Sequence, residues 1–174
     1  VDSSQYGAYI GGQAGFTGTL SIYNGGVARF GTVNYSGFSS LSLGQVGTGA
    51  INVGGAGSAL QLTGGFYAGR ASGAVGTIDV SSGATLTQTS SGSANEFVSF
   101  GSGGTVNGTL VNGGTGSLNV TGAAKATFGS PLSFGTSGDN GNLGVSDANS
   151  VLTLGDSLQA GGGSTATSSI GTIV

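Results

Sequence analysis

The side chains able to do chemistry are few. Carboxylates stand at Asp2, Asp79, Glu96, Asp139, Asp147 and Asp156, cations at Arg29, Arg70 and Lys125, and the 174 residues include no His, Cys, Met or Trp. Acid–base cleavage of a polysaccharide needs clustered carboxylates with Arg or Lys on one face. Asp147 and Asp156, nine residues apart, come nearest to such a pair, and no cation lies within twenty residues of either. A Ser–Lys dyad built on Lys125 has abundant Ser to draw on but no flanking motif. Without Cys or His there is no thiolate nucleophile, no imidazole base and no zinc ligand set. Neither catalysis nor a cofactor is expected, and the charges read most plainly as solubility on a neutral surface.

One run offers hard oxygen ligands of the kind calcium accepts. Asp139, Asn140 and Asn142 are followed by Asp147 five residues on. The Glu that closes an EF-hand loop and the Gly-Gly-x-Gly-x-Asp of calcium rolls are both missing, so an Asx-rich turn between strands is the plainer reading. Thr85, Thr87 and Thr89 form a Thr-x-Thr row of the sort that orders water on some solenoids, with no second row in register with it along the sequence. The five Tyr fall within the first 67 residues, which makes that half, with Tyr6 and Tyr9, a candidate for lateral or partner contact.

The elements that must carry these residues follow from composition. Forty residues are Gly and only 5% are charged, against about 25% in an ordinary domain. Three scattered cations cannot neutralise a phosphate backbone, so nucleic acid is excluded as a partner. The longest apolar runs are a few residues, too short to span a membrane, and no secretory signal begins the chain. A flexible Gly/Ser linker is also excluded. Leu, Ile, Val and Phe total 41 and the net charge is −3, enough apolar content to collapse. These residues alternate with small polar ones in short bursts bounded by Gly or by Asn-Gly, at 24–25, 107–108, 112–113 and 140–141. That pattern predicts many short strands and tight turns, and an all-β chain of one domain over 1–174.

The bursts recur. An apolar-x-apolar word appears at Leu20-Ser21-Ile22, Ile51-Asn52-Val53, Ile78-Asp79-Val80, Leu118-Asn119-Val120 and Leu143-Gly144-Val145, at intervals of 31, 27, 40 and 25. A second word ends in Gly at positions 11, 44, 69, 101, 135 and 161. The repeat blurs over 87–115, where Gly108-Thr109-Leu110-Val111 reads as a local doubling of Gly116 to Val120. A period near 30 with Gly at fixed corners predicts a β-solenoid, with a Gly-rich β-sandwich as the rival. The alternation sends Leu20, Ile22, Ile51, Val53, Leu60, Leu62, Ile78, Val80, Leu86, Leu118, Val120, Leu143, Val145, Leu152 and Leu154 inward. It leaves Ser21, Asn52, Gln61, Asp79, Asn119 and Thr153 to water.

The phrases YIGGQAGFTG (9–18), TGTLSIYNGGVARF (17–30), VGTGAINVGGAGSALQL (46–62) and GAVGTIDVSSGATL (73–86) resemble the strand-loop-strand repeats of bacterial autotransporter passengers and of PEP-CTERM-associated surface proteins. The resemblance covers most of the chain. It implies a secreted right-handed β-helix at the bacterial cell surface, serving as adhesin, stalk or fibre, with no shared catalytic residues. Signal peptide and translocator barrel are missing, which on this resemblance implies a processed product or a segment.

Ile170-Gly171-Thr172-Ile173-Val174 opens a copy of Gly-Thr-Ile-Asp-Val (76–80), and Val1-Asp2 then supplies its missing end. Read tail to head, Ile173 and Val1 fill both inward positions of one word, with Tyr9-Ile10-Gly11 following in phase. The expectation is a non-enzymatic extracellular fibre subunit that joins copies of itself through Val1, Asp2, Tyr6, Tyr9, Ile170, Thr172, Ile173 and Val174. The alternative is a passenger or stalk segment of an adhesin that presents residues 87–115 to a host or surface ligand.

Overall fold

A computed structural model of the chain describes residues 2–3, 8–31, 41–92, 96–106, 109–136, 139–161 and 170–173. Among these there is no helix, because no stretch escapes Gly and β-formers long enough to nucleate one. Numbered in chain order, the strands fall into three parallel six-stranded sheets and one hairpin. Sheet A stacks β1 (Asp2–Ser3), β4 (Val27–Gly31), β7 (Ala59–Thr63), β10 (Thr85–Thr89), β15 (Lys125–Phe128) and β18 (Val151–Leu154). Sheet B stacks β2 (Ala8–Ile10), β5 (Leu41–Leu43), β8 (Phe66–Ala68), β11 (Val98–Ser102), β16 (Leu132–Thr136) and β19 (Leu158–Ala160). Sheet C stacks β3 (Thr17–Ile22), β6 (Thr48–Gly54), β9 (Val75–Ser81), β14 (Thr115–Val120), β17 (Asn140–Val145) and β20 (Ile170–Ile173). The chain visits A, B and C in turn, six times over, which is consistent with a β-solenoid and not with the paired antiparallel sheets of a sandwich.

Register follows the recurring words. Leu20 pairs with Ile51, Ile51 with Ile78, Ile78 with Leu118 and Leu118 with Leu143. In sheet B, Ile10, Leu43, Ala68, Phe100, Phe134 and Ala160 pair in succession. The Gly after each turns the chain from sheet B to sheet C with φ between 59 and 70°. A Cβ at Gly44 or Gly101 would collide with a main-chain carbonyl of the next coil, at Val75 and Asn140 respectively, so no other residue fits there.

The core is one column of apolar side chains along the stack. Of the expected inward set, Leu20, Val145, Leu152 and Leu154 are half-buried and the rest are buried. Aromatic rings thicken it. Phe100 stacks on Phe134 at 4.9 Å between centroids and meets Phe66 edge-on at 5.4 Å.

Three expectations need correction. The apparent doubling near 108–111 is no partial coil: β12 (Gly104–Val106) and β13 (Thr109–Val111) pair antiparallel as a hairpin inserted at the B-to-C corner. Residues 87–115 therefore keep their coil, with β10, β11 and β14 in place, and the blur is two insertions, at 90–97 and 103–113. Asn140-Gly141 is no turn; both lie in β17, because pairing with β14 claims their main chain. The Asn24-Gly25 turn does form, with φ of 56 and 77°.

Candidate functional site

Both insertions leave the same coil, and each is tied down by one carboxylate. At the A-to-B corner, Gln88 occupies an inward position between Leu62 and Phe128 yet is only 1% exposed. Its Nε2 donates to the Gly64 carbonyl and to Ser130 Oγ at 3.0 and 2.9 Å, and its Oε1 accepts from the Gly129 and Ser130 amides. Ser130 Oγ donates in turn to Glu96, whose carboxylate also accepts from the Ser90 hydroxyl at 2.6 Å and the Ser91 amide at 2.8 Å. Burial pulls the Glu96 carboxyl upward, but these hydroxyl and amide donors outweigh it and hold the group below its ordinary range.

The second corner is the candidate site. Asp139 precedes β17 at the slot that Gly47, Ala74 and Gly114 fill in earlier coils, and it is 2% exposed. Its Oδ2 accepts the Gly103 amide, and the Gly113 amide reaches the same carboxylate. Those two residues are the feet of the β12–β13 hairpin. A Cβ at Gly113 would run into the carboxylate, so Gly is required there. Asp139 Oδ1 is buried with no hydrogen-bond partner. Burial pushes the carboxyl above its ordinary value, with the Gly103 and Gly113 amides opposing. A cavity of about 310 Å³ opens beside it, lined by Ser72, Thr115 and Asn140 and by residues 73–75 and 113–114.

The other calcium candidates lie apart. Asn140 stands at the cavity edge, while Asn142 is exposed on sheet C, 3.4 Å from Ser117 Oγ. Asp147 sits beyond the far end of β17, where its Oδ2 accepts from the Gly122 amide at 2.9 Å. Six extended residues at about 3.3 Å each put roughly 20 Å between it and Asp139. Nor does Asp147 meet Asp156, which bonds the Ser157 amide on the other side of β18. Among the described residues there is no group of three or more His, Cys, Asp or Glu.

The cations are dispersed as well. Arg29 Nε bonds Gln61 Oε1 at 2.8 Å on sheet A, Lys125 lies between Thr85 and Val151 with no Ser beside it in the adjoining strands, and Arg70 covers the Tyr67 ring at 4.6 Å. The threonine row gains what sequence order hid. Thr127 and Thr153 stack on Thr87, and Thr63 Oγ1 lies 3.4 Å from Thr89 Oγ1.

Of the expected self-contact residues, Tyr9 is 60% exposed on sheet B, Asp2 belongs to β1, and Ile170, Thr172 and Ile173 belong to β20. Val1, Tyr6 and Val174 lie outside the described residues. Ile173 pairs with Leu143, as the recurring word requires. The tail-to-head word itself is corrected. Ser3 pairs with Phe30, a place that follows Val53, Val80, Val120 and Val145 by eight or nine residues but follows Val1 by two. The joined text is thus six or seven residues out of phase.

No helix among the described residues is long and apolar enough to cross a membrane. No protein-family model, no curated protein and no solved structure matches this chain.

Proposed function

We propose that the chain is a mechanical unit: a right-handed β-solenoid without enzymatic activity, displayed outside a bacterial cell and stacked coaxially on copies of itself into a fibre. The observation that carries this reading is the pair of edges left by three in-register parallel sheets. Among the described residues β1, β2 and β3 form one edge and β18, β19 and β20 the other, each with one side unpaired. Unpaired N–H and C=O rows seek strands, and the same A-B-C order stands at both edges, so a second copy meets them in register. Stacking by edges does not need the tail-to-head word, which is out of phase. Right-handedness rests on the rule that connections between parallel strands of one sheet cross over right-handed in about 98% of cases. Six coils at about 4.8 Å make a stack about 29 Å tall, and on this reading each added copy lengthens the fibre by as much. An extracellular setting suits a surface poor in Lys and Arg, which offers few sites to proteases.

Electron microscopy and light scattering of the purified chain over a range of concentrations test this. Threads that lengthen with concentration are expected. Isolated particles of one size at every concentration would overturn it. The adhesin reading is favoured by one feature, the two insertions that leave the same coil. Removing the hairpin at 104–111 would abolish attachment to a surface on that reading and leave thread growth intact on the first.

A further inference from the structure

We infer that the cavity beside Asp139 is a calcium site that locks the feet of the β12–β13 hairpin, whether or not the chain forms fibres. The argument begins with an unbalanced charge. A carboxylate taken out of water needs a counter-charge or a full set of donors. Asp139 takes amides from Gly103, on its Oδ2, and from Gly113, and its buried Oδ1 has no hydrogen-bond partner. No Lys or Arg lines the cavity beside it. The same slot holds Gly114 in the coil below and Ala74 in the one before it, and neither carries a charge to balance.

The missing positive charge has room and suitable neighbours. The cavity of about 310 Å³ far exceeds what a single ion needs and admits its waters. The residues lining it include the oxygen-bearing Ser72, Thr115, Asn140 and Asp139, and none carries sulfur or imidazole. Hard oxygen donors in an irregular, water-accessible setting select calcium over the transition metals, and over magnesium with its stricter octahedral demand. One carboxylate is a low charge count, which places the affinity in the weak range, about 0.1 to 1 mM or above. The sequence-based set is thereby revised: Asp139 and Asn140 stay, Ser72 and Thr115 join, and Asn142 and Asp147 leave.

Thermal unfolding of the full chain in chelator and then in calcium chloride from 0.1 to 10 mM (roughly the span bracketing that affinity) tests the site. A saturable rise in midpoint is expected, absent in Asp139→Asn and retained in Asp147→Asn. Matched ionic strength in sodium chloride should not reproduce it, nor should equimolar magnesium. An equal rise in Asp139→Asn, or in sodium chloride, would overturn the proposal, as would no rise in the wild type. Should Asp139→Asn fail to fold, hydrogen exchange on the wild type decides. Calcium should slow exchange of the Gly103 and Gly113 amides, and unchanged rates at both would overturn it.

Discussion

Glu96 and Asp139 anchor neighbouring insertions in one coil, and they finish in opposite states. Glu96 lies at a partly exposed corner and collects donors from Ser90, Ser91 and Ser130, so its charge is welcome and its pKa falls. Asp139 lies in the stack, takes amides from Gly103 and Gly113, keeps one oxygen bare, and its pKa rises. The difference teaches where a solenoid tolerates charge. A corner that opens to water can surround a carboxylate with flexible hydroxyls. At the corner that carries the inserted hairpin, the donors that reach the carboxylate are main-chain amides, and they leave Oδ1 bare.

The largest expected effect concerns what holds both corners. Phe100 lies in β11, between the insertions, fully buried and stacked against Phe134 and Phe66. Phe100→Ala should cost about 3–5 kcal/mol in denaturant unfolding, as expected for a truncated core aromatic. A loss under about 2 kcal/mol would mean that the polar corners, and not the apolar column, hold this coil.

Next comes Gln88. Gln88→Leu restores the apolar column between Leu62 and Phe128 but removes the acceptor of the Ser130 amide and the donor to the Gly64 carbonyl. Each buried group left unpaired costs about 1–3 kcal/mol, partly offset by the added apolar contact, so a net loss of about 1–3 kcal/mol is expected. Calorimetry that found the variant more stable would show that Gln88 does not organise the Glu96 corner.

These residues mark the limit of what the sequence reveals. Period-two alternation and corner Gly made the columns legible, because each coil repeats the same local rule: Leu20, Ile51, Ile78, Leu118 and Leu143 were chosen by spacing and pair in that order. Gln88 was legible in principle, since Leu86-Thr87-Gln88 matches Leu60-Gln61-Leu62, but a polar residue hides an inward position. Phe66 escaped for a different reason: its three-residue strand is too short to show alternation. The hairpin was misread because Thr109-Leu110-Val111 has the residue types of a coil strand, and only pairing distinguishes the two. Asp139 looked like a solvated turn residue because its burial depends on a segment inserted some thirty residues earlier, which no local pattern encodes.

The smallest effect separates the two carboxylates most cleanly, by the sign of a pH slope measured in chelator. Glu96 has a folded pKa below its ordinary value of 4.5. Its contribution is therefore present above that value and is lost as pH falls through the lower, folded pKa. Compared with Glu96→Gln, the wild type should hold an advantage at neutral pH that fades on acidification. Asp139 has a folded pKa above its ordinary 3.8, so the fold binds the proton more tightly than the unfolded chain does. Its charge is a penalty above the folded pKa, and the penalty lifts as pH falls through it. The wild type should then trail Asp139→Asn slightly at neutral pH and close the gap in acid. Unfolding free energies of the three proteins between about pH 7 and about pH 2 (a span that passes below both ordinary carboxyl values) read both slopes. Parallel slopes for the two substitutions would mean that the Asp139 corner is as well solvated as the Glu96 corner, and the asymmetry between them would fall.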